Sequence, residues 1–356
     1  MNSLCINARF LTQPVTGVQR FGIELSRQIK KLLPETVFVA PPHILHKEVA
    51  AELGVVTFGK MNGHLWEQFE LPLFLKKQGN PLLLNLANTA PLLYPNKVVT
   101  IHDLAFKVNP GWFSKPFYLY YNFLIPHIAR NSLKIITVTQ HMKADITQIL
   151  NVPATKVEVI YNAVSFSSAP ANSKSEKNDL PARYVLAVSS LDPRKNFVRL
   201  LKAFGAIQDK EVKLLIIGGS SKVFADQELQ RLLKETPQAQ AIGYVPDEEL
   251  HRLYRHATAF IYPSLYEGFG IPNIEAMALG CPVITSAIGP IEEVCGKAAL
   301  FVDPYQETDI TARLNQLLAS QPLQEELRAK GLEQAGRYSW RQSARQLLDI
   351  LQQLPA

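Results

Sequence analysis

The sequence predicts an α/β chain made of two Rossmann-like, doubly wound domains. Two observations carry this prediction. The 356 residues exceed the size at which one hydrophobic core usually keeps growing, and short apolar strands alternate with helical segments in both halves. A serine-rich polar stretch separates the halves and has the composition of a linker. The predicted organisation is a first domain over 1–165, a linker over 166–180 and a second domain over 181–339.

The strands are predicted from short apolar runs bounded by polar or turn residues. In the first half they are 4–7, 37–39, 82–84, 98–101, 135–138 and 157–162, with helices over 21–33 and 141–150. In the second half they are 184–188, 213–219, 239–245, 259–262 and 282–285. The last segment, about 340–356, is predicted to be an amphipathic helix.

Composition restricts the class of protein. The longest apolar runs, such as 214–217, are too short to cross a bilayer, and the first seven residues lack the pattern of a secretory signal. The three cysteines (Cys5, Cys281 and Cys295) cannot all pair and have no metal-ligand spacing. We therefore expect a cytoplasmic protein, with peripheral attachment to the inner face of the cytoplasmic membrane as an open alternative.

The net charge of +6 is concentrated in the first half. Residues 1–165 contain 16 Lys and Arg against 9 Asp and Glu, whereas the remainder contains 21 against 22. A basic first half favours contact with an anionic membrane or a phosphorylated acceptor. No recognised nucleic-acid motif accompanies the charge, so no nucleic-acid partner is predicted.

The most informative segment is 262–280, where an apolar strand meets a short helix through a glycine-rich corner. Gly268 and Gly270 allow close approach of a ligand, and the free N–H groups at the start of the helix favour an anion such as phosphate. Glu267 and Glu275 are acceptors suited to vicinal hydroxyls. The simplest matching ligand is a sugar joined through a diphosphate to a nucleoside. The alternative is that Glu275 stabilises its own helix dipole while Glu267 is solvated.

The run Glu267-Gly268-Phe269-Gly270-Ile271-Pro272-Asn273-Ile274-Glu275 resembles the signature of retaining glycosyltransferases of family 4, two glutamates separated by seven residues. The following Ala-Met-Ala-Leu-Gly-Cys-Pro-Val-Ile-Thr-Ser and the later Ala-Ala-Leu-Phe-Val-Asp-Pro are similar to that family as well. The resemblance implies the GT-B fold, in which two Rossmann-like domains face a cleft and the C-terminal helix crosses back to the first domain.

The resemblance also implies a glycosyl-transfer reaction. The enzyme would transfer a hexose from a nucleotide-sugar to a hydroxyl of a glycan or polyprenol-linked glycan in cell-surface polysaccharide assembly, with retention at the anomeric carbon. GDP-mannose is slightly favoured as donor, because the segment around Glu267 is most similar to that of mannosyltransferases. Two alternatives stay open: a nucleotide-sugar 2-epimerase of the same fold, and a non-catalytic subunit that binds nucleotide-sugar.

Two cations follow the first strand of the second domain. Arg194 and Lys195 lie between a strand and a helix and suit a diphosphate leaving group, unless they are a solvated pair at a helix start. The resemblance assigns the diphosphate to Lys195. Glycosyltransferases of the other major fold use an Asp-x-Asp motif to hold a metal ion on the diphosphate, and no Asp-x-Asp occurs in this chain. Neither a metal nor another cofactor is therefore expected.

The resemblance also implies roles for further residues of this chain. Glu275 would bind the ribose, Glu267 the transferred sugar, and the backbone of 268–271 the donor. His102 would contact the reacting centre, with Asp103 behind it as an orienting or acceptor-side carboxylate. Gly17 is the one glycine in the connection after the first strand, where the family has a glycine-rich loop, and Tyr244 and Val245 follow the strand that holds the nucleobase.

Two further groups of residues each allow two interpretations. Arg9 and Arg20, which flank Gly17 in that connection, are suited equally to holding an acceptor phosphate and to capping carboxylates. The segment 112–123 contains seven aromatic residues. It is consistent with a lipid-facing groove and equally with a buried helix.

Overall fold

A computed structural model describes residues 3–165, 180–190, 192–218 and 227–354. The chain divides into two compact units. Unit 1 comprises Met1–Asn162 together with Tyr338–Ala356, and unit 2 comprises Ala163–Arg337. Apart from residue 180, the predicted linker lies outside the described residues.

Unit 1 is built on a seven-stranded parallel sheet whose order is β3-β2-β1-β4-β5-β6-β7. The order reverses between β1 and β4, which is where such sheets form a ligand crevice at the carboxyl ends of the strands. Both of these strands are buried along their whole length, and this explains their continuous apolar runs. The strands are β1 (Leu4–Asn7), β2 (Val37–Ala40), β3 (Val56–Thr57), β4 (Leu82–Asn85), β5 (Lys97–Thr100), β6 (Lys134–Thr137) and β7 (Val157–Val159). The α-helices are α1 (Gly17–Leu32), α2 (Lys47–Leu53), α3 (Gly63–Leu65), α4 (Leu71–Lys77), α5 (Ala105–Val108), α6 (Lys115–Asn131) and α7 (Gln140–Leu150).

Unit 2 contains a six-stranded parallel sheet with the order β10-β9-β8-β11-β12-β13, which reverses between β8 and β11. In its core, side chains of the strands pack against side chains of the helices that cover the sheet. Examples are Leu214 of the sheet and Phe204 and Leu314 of the helices. The strands are β8 (Tyr184–Val188), β9 (Lys213–Ile217), β10 (Ala239–Gly243), β11 (Ala259–Tyr262), β12 (Val283–Ser286) and β13 (Ala299–Val302). The α-helices are α8 (Phe197–Gly205), α9 (Gln227–Glu235), α10 (Asp247–His256), α11 (Ile271–Ala278), α12 (Gly289–Cys295), α13 (Glu307–Leu318) and α14 (Gln321–Ala335). Two parallel, doubly wound sheets confirm the predicted fold class.

The last helix, α15 (Trp340–Gln352), belongs to unit 1. Trp340 is 4% exposed, and its ring centroid lies 5.9 Å from that of Phe21 on α1. The Ser343 hydroxyl donates to the carbonyl of Tyr161 at 2.8 Å. The amphipathic pattern therefore packs this helix on the first domain, as the sequence predicts.

The start of α1 differs from the prediction. The helix begins at Gly17, four residues before the predicted Phe21, because Thr16 and Gln19 form a capping box. The Thr16 N–H donates to Gln19 Oε1 at 3.2 Å. Gly17 is an exposed first helical residue without positive φ, so it lies at the start of α1 and not in the loop before it.

A π-helical turn (Trp66–Glu70) joins α3 to α4 without a break. Pro72 has no N–H to donate, and its ring would crowd the carbonyl of Gln68 in a regular helix. The Leu71 N–H instead donates to the carbonyl of Trp66, five residues earlier, which widens the turn. As a result Glu67 is buried with 0% exposure, and such turns are frequent at functional sites.

Candidate active site

The candidate site of unit 2 lies where the strand order reverses, on the loops that follow β8 and β11. After β8 the chain forms a 3₁₀ turn over Pro193–Lys195, and Asn196, with φ of 65°, leads into α8. After β11 the corner over 263–270 ends at Gly270, whose φ is 84°. The Leu265 N–H donates to the carbonyl of Arg194 at 2.7 Å, which joins the two loops.

The joined loops bring Lys195 and Glu267 into direct contact. Lys195 Nζ lies 2.5 Å from Glu267 Oε1 and donates to the Tyr262 hydroxyl at 2.8 Å. That hydroxyl donates to the same Oε1 at 2.7 Å. Lys195 and Glu267 are each 8% exposed and Tyr262 is 4% exposed. The corner thus contains an almost fully buried ion pair, and both of its members form a hydrogen bond with the Tyr262 hydroxyl.

The electrostatics of the pair favour both charges. Burial alone would raise the pKa of Glu267, but the Lys195 and Arg194 cations outweigh it and hold that pKa below its usual range. Burial would likewise lower the pKa of Lys195, but the adjacent Glu267 carboxylate raises it. The pKa of Tyr262 is raised to about 12 by burial and by Glu267. At neutral pH the corner therefore holds an ammonium, a carboxylate and a neutral phenol.

Gly270 adopts a left-handed backbone conformation at the end of the glycine corner. Its positive φ disfavours any side chain, and an added Cβ would lie 2.8 Å from Asn273 Nδ2. The helix begins at Ile271, so Pro272 is its second residue rather than its first. Gly268 and Phe269 are buried. Unit 2 thus presents the N-terminal turn of α11 beside the Lys195–Glu267 pair.

Glu275 is the fifth residue of α11 and half-buried. No acidic residue occupies the first turn of this helix, so the interpretation of Glu275 as a first-turn carboxylate that stabilises the dipole is wrong. The hydroxyl of the fully buried Tyr254 lies 3.5 Å from Glu275 Oε2. Burial and the Glu275 carboxylate raise the pKa of Tyr254 well above its usual value, so the phenol stays a donor.

The predicted nucleobase segment follows β10. Gly243 ends the strand with a φ of 87°. Tyr244 is 82% exposed and Val245 is half-buried. The exposed Tyr244 ring makes this the most accessible of the predicted donor contacts in unit 2.

In unit 1, His102 lies at the carboxyl end of β5 and is 6% exposed. Its Nε2 lies 3.0 Å from the carbonyl oxygen of Leu86, and its ring meets Phe21 edge-on at 4.8 Å. Burial lowers the pKa of His102, so the imidazole is neutral with its proton on Nε2. The remaining nitrogen, Nδ1, is then an acceptor.

Asp103 has a local role that the sequence analysis missed. Its Oδ1 accepts a hydrogen bond from the Ala105 N–H at 3.0 Å, at the first residue of α5. The side chain is half-buried. Asp103 therefore fixes the start of a short helix directly after His102.

A second polar cluster in unit 1 was not predicted. At the reversal between β1 and β4, Glu67 accepts from Arg9 Nε at 3.0 Å and from the Asn7 amide at 2.8 Å, both on Oε1. Thr89 donates to Glu67 Oε2 at 2.6 Å and accepts from Arg9 Nη2 at 2.7 Å. Asn85 accepts from the Asn7 amide at 3.0 Å. We call these five residues the Arg9–Glu67 cluster.

In the Arg9–Glu67 cluster the partner of Arg9 is a buried carboxylate, not one of the surface carboxylates that the sequence analysis considered. Arg9 is 6% exposed. Burial alone would raise the pKa of Glu67, but Arg9, His64 and Thr89 lower it to about 2. Arg9 and Glu67 are 58 residues apart in sequence, and no local pattern signals such a pairing.

The described residues contain neither a cluster of potential metal ligands nor a helix that could span a membrane. No group of three or more His, Cys, Asp or Glu is placed to hold a metal ion within 3–165, 180–190, 192–218 and 227–354. In the same ranges, no helix combines the length and apolarity that crossing a bilayer requires. All three cysteines are buried and unpaired.

The two parallel, doubly wound units have the fold of solved GT-B structures. HepE from Anabaena, solved with UDP and glucose, aligns with a TM-score of 0.77 at 16% identity over 99% of this chain and 100% of that one. WaaG, a glycosyltransferase involved in lipopolysaccharide biosynthesis, aligns with a TM-score of 0.71 at 15% identity over 98% and 99% of the two chains.

Sequence comparison assigns the family. Residues 15–167 match Glycosyltransferase Family 4, and residues 168–334 match Glycosyl transferases group 1. The chain is 30% identical over 265 residues to O-antigen chain mannosyltransferase B of Escherichia coli, an alignment that covers 71% of this chain and 69% of the relative. It is 29% identical to O-antigen chain mannosyltransferase RfbU of Salmonella typhimurium over 85% and 88% of the two chains. The chain belongs to the family 4 glycosyltransferases, and the sequence resemblance is confirmed.

Proposed function

We propose that this glycosyltransferase transfers mannose from GDP-mannose to a hydroxyl of an O-antigen-type glycan, with retention at the anomeric carbon. The observation that carries the proposal is the Lys195–Glu267–Tyr262 cluster beside the N-terminus of α11. The mannosyltransferase names of the two sequence relatives support the choice of sugar.

The Lys195–Glu267 pair explains how a carboxylate can lie beside a diphosphate. Two hydrogen bonds of the Glu267 carboxylate fall on Oε1, and Lys195 balances its charge. We assign Glu267 Oε2 to hydroxyls of the transferred sugar. The third proton of Lys195, the Arg194 guanidinium and the N–H groups at the start of α11 would bind the diphosphate.

In the proposed reaction the acceptor oxygen forms a bond to the anomeric carbon while the bond from that carbon to the diphosphate oxygen breaks. The acceptor proton passes to the departing diphosphate on the same face of the sugar. Lys195, Arg194 and the backbone N–H groups stabilise the negative charge that develops there. Because these groups supply the stabilisation, the proposal includes no metal ion. The proposal also gives His102 a part in the reaction, since its neutral imidazole offers Nδ1 as an acceptor.

Product analysis tests the proposed reaction. The purified chain is incubated with GDP-mannose and EDTA, with and without lipid-linked glycan extracted from the membranes of the host organism. We expect mannose to be incorporated only when the glycan is present. An epimer formed from the donor alone would favour the 2-epimerase, and donor binding without any transfer would favour the non-catalytic subunit.

We also propose that unit 1 contacts an anionic bilayer through an apolar stripe over residues 61–73, which begins just before α3 and ends in α4. Met61, Leu65, Phe69 and Leu73 recur at every fourth position and are 43%, 63%, 59% and 57% exposed. Gln68 bonds to Ala90 and Leu92 and so holds a loop beside the stripe whose Leu93 is 90% exposed.

The charges around the stripe fit an anionic surface. Lys60, Lys76 and Lys77 flank it and are exposed. The two carboxylates of this helical segment are engaged elsewhere, because Glu67 is buried and Glu70 accepts the N–H groups of Lys60 and Met61. Exposed apolar side chains beside lysines bind the interface of anionic membranes.

Vesicle sedimentation tests the membrane contact. We expect the chain to sediment with phosphatidylglycerol vesicles and not with phosphatidylcholine vesicles. Replacing Phe69 and Leu73 together with glutamine should weaken binding at least tenfold, since each buried apolar side chain contributes about 1.5–3 kcal/mol. The control is Leu332→Gln, which alters a 50% exposed leucine of unit 2. Equal sedimentation of the double variant and wild type would contradict the proposal.

A further inference from the structure

The carboxyl end of β11 runs beyond its pairing with β8. The last pair of this ladder is Phe260 with Leu186, whereas β11 continues to Tyr262. The next two residues, Pro263 and Ser264, are buried as well. Buried backbone carbonyl groups cost free energy unless a donor reaches them, so this segment needs hydrogen bonds that the pairing with β8 does not supply.

Three consecutive carbonyl groups, those of residues 262–264, each accept a hydrogen bond from a different side chain. The Thr285 hydroxyl donates to the first at 3.0 Å and the Ser286 hydroxyl donates to the third at 2.6 Å, both from β12. The Asn196 amide donates to the second at 3.0 Å, from the loop after β8. We call Asn196, Thr285 and Ser286 the carbonyl clamp. They are 4%, 0% and 0% exposed, so their hydrogen bonds are shielded from water.

Asn196 joins three loops at the carboxyl edge of the sheet. The second amide proton goes to the Pro304 carbonyl at 2.7 Å, on the loop after β13, and Oδ1 accepts from Arg199 Nη1 at 3.0 Å. Asn196 directly follows Lys195 and has a φ of 65°, a left-handed conformation that asparagine tolerates better than most residues. The residue therefore connects the loop of Lys195 with the loop that leads to Glu267.

We propose that the carbonyl clamp sets the separation between Lys195 Nζ and Glu267 Oε1, and that Asn196 is a positioning residue for sugar transfer. This inference rests on the proposed function and adds residues that act through the ion pair without touching the substrate. The Leu265 N–H donates to the carbonyl of Arg194, so the clamp and this backbone bond tie the same two loops together on either side of the Ser264 carbonyl.

A small displacement of either loop would disrupt the ion pair. Lys195 Nζ, the Tyr262 hydroxyl and Glu267 Oε1 lie 2.5–2.8 Å from one another, and the Tyr262 carbonyl is itself held by the clamp. A misplacement of about 1 Å near reacting groups reduces the rate about a hundredfold. The clamp therefore affects transfer through the position of the pair.

Steady-state kinetics of Asn196→Gly with the extracted lipid-linked glycan test the proposal. Glycine adopts a positive φ without strain, so the substitution removes the amide and keeps the backbone conformation allowed. We expect kcat to fall about tenfold to a hundredfold, with a smaller change in the donor KM because the charge on the diphosphate grows in the transition state. Thr285→Val should lower kcat as well, and Thr285→Ser, which keeps the hydroxyl, should restore most of it.

Combination with Lys195→Ala separates positioning from a general effect on the fold. If Asn196 acts through the ion pair, adding Asn196→Gly to Lys195→Ala should lower kcat much less than it does in the wild type, because residues that act as a unit are not additive. Full multiplication of the two losses would contradict the proposed role.

The matched control is Tyr184→Phe. It removes another buried hydrogen bond from a side chain to a carbonyl, since the Tyr184 hydroxyl donates to Leu253 at 2.7 Å. Tyr184 is the first residue of β8 and therefore lies at the opposite edge of the sheet. The control should change neither kcat nor the donor KM. If the wild type transfers sugar and Asn196→Gly keeps the wild-type kcat, this inference is wrong while the proposed function stands.

Amide hydrogen exchange tests the clamp even without transfer. We expect the Leu265 N–H to exchange about tenfold faster or more in Asn196→Gly and in Ser286→Ala, because the loops that it joins would open locally more often. Tyr184→Phe should leave this exchange unchanged. Faster exchange in a chain that transfers no sugar would reject the proposed function and retain the clamp. Unchanged exchange in both clamp variants would overturn the inference.

Discussion

Lys195→Ala is expected to reduce sugar transfer about a thousandfold and to destabilise unit 2. The reduction follows because removal of one group that stabilises developing negative charge costs about 10²–10³ in kcat, and Glu267 would also be freed to repel the diphosphate. The destabilisation follows because Glu267, at 8% exposure, would remain as a buried, uncompensated carboxylate. The measurements are kcat for transfer and the midpoint of thermal unfolding.

The size of the stability loss can be bounded. Breaking a buried ion pair by removal of one partner costs about 3–5 kcal/mol. For a unit of this size, 1 kcal/mol lowers Tm by about 2–4 °C, so a fall of roughly 6–20 °C is expected. An unfolding midpoint within 2 °C of the wild type, at unchanged kcat, would contradict the assignment of the pair.

A double variant separates stability from chemistry. In Lys195→Met with Glu267→Gln both charges are removed, and buried pairs replaced by neutral side chains of similar volume are often close to neutral in stability. We expect most of the lost Tm to return while kcat stays near that of Lys195→Ala. Recovery of transfer in the double variant would show that the pair serves only the fold.

The contribution of the pair to stability should be constant over a wide pH range. The depressed pKa of Glu267 provides stability above the unfolded value of about 4.3, and this is lost as pH falls through the folded pKa. The raised pKa of Lys195 provides stability below about 10.4, and this is lost as pH rises through the folded pKa. Between these limits neither group titrates.

The sequence predicted those parts of the molecule that depend on local patterns. The strand at 259–262, the positive-φ Gly270 and the C-terminal helix follow from short apolar runs, glycine placement and helical periodicity. These features require only neighbouring residues. The bounds of the strand agree, and the helix starts as predicted at Trp340 but ends at Gln352, before the predicted 356.

The sequence could not reveal contacts between distant segments. Lys195 and Glu267 are 72 residues apart, so the sequence analysis assigned them separate ligands although they bind each other. The pairing of Arg9 with Glu67 was missed for the same reason. Glu67 also depends on a π-helical turn, which comes from the position of Pro72 and has no apolar periodicity of its own.

Glu275→Ala is expected to abolish most of the thermal stabilisation that a nucleotide-sugar gives. We propose that Glu275 accepts hydrogen bonds from both ribose hydroxyls, while the buried Tyr254 phenol lies beside its Oε2. Hydrogen bonds to a charged group contribute about 1.5–3 kcal/mol each, so loss of the carboxylate should weaken donor binding about a hundredfold. The measurement is a thermal-shift screen against GDP-, UDP- and dTDP-sugars, with GDP-mannose expected to give the largest shift.

The expected shifts follow from mass action. At a donor concentration of about 100 times Kd, binding stabilises the folded chain by about 2.7 kcal/mol, and a hundredfold weaker Kd leaves only about 0.4 kcal/mol. A shift of about 5–11 °C should therefore fall to about 1–2 °C. Glu275→Gln, which keeps one acceptor oxygen, should lie between the two, and Glu325→Ala, an exposed carboxylate on α14, is the matched control. Because the ribose is common to all three nucleotides, the loss of thermal shift should be similar for every donor that binds. An unchanged shift in Glu275→Ala would show that Glu275 does not bind the ribose, and only the Lys195–Glu267 pair would remain as the proposed donor site.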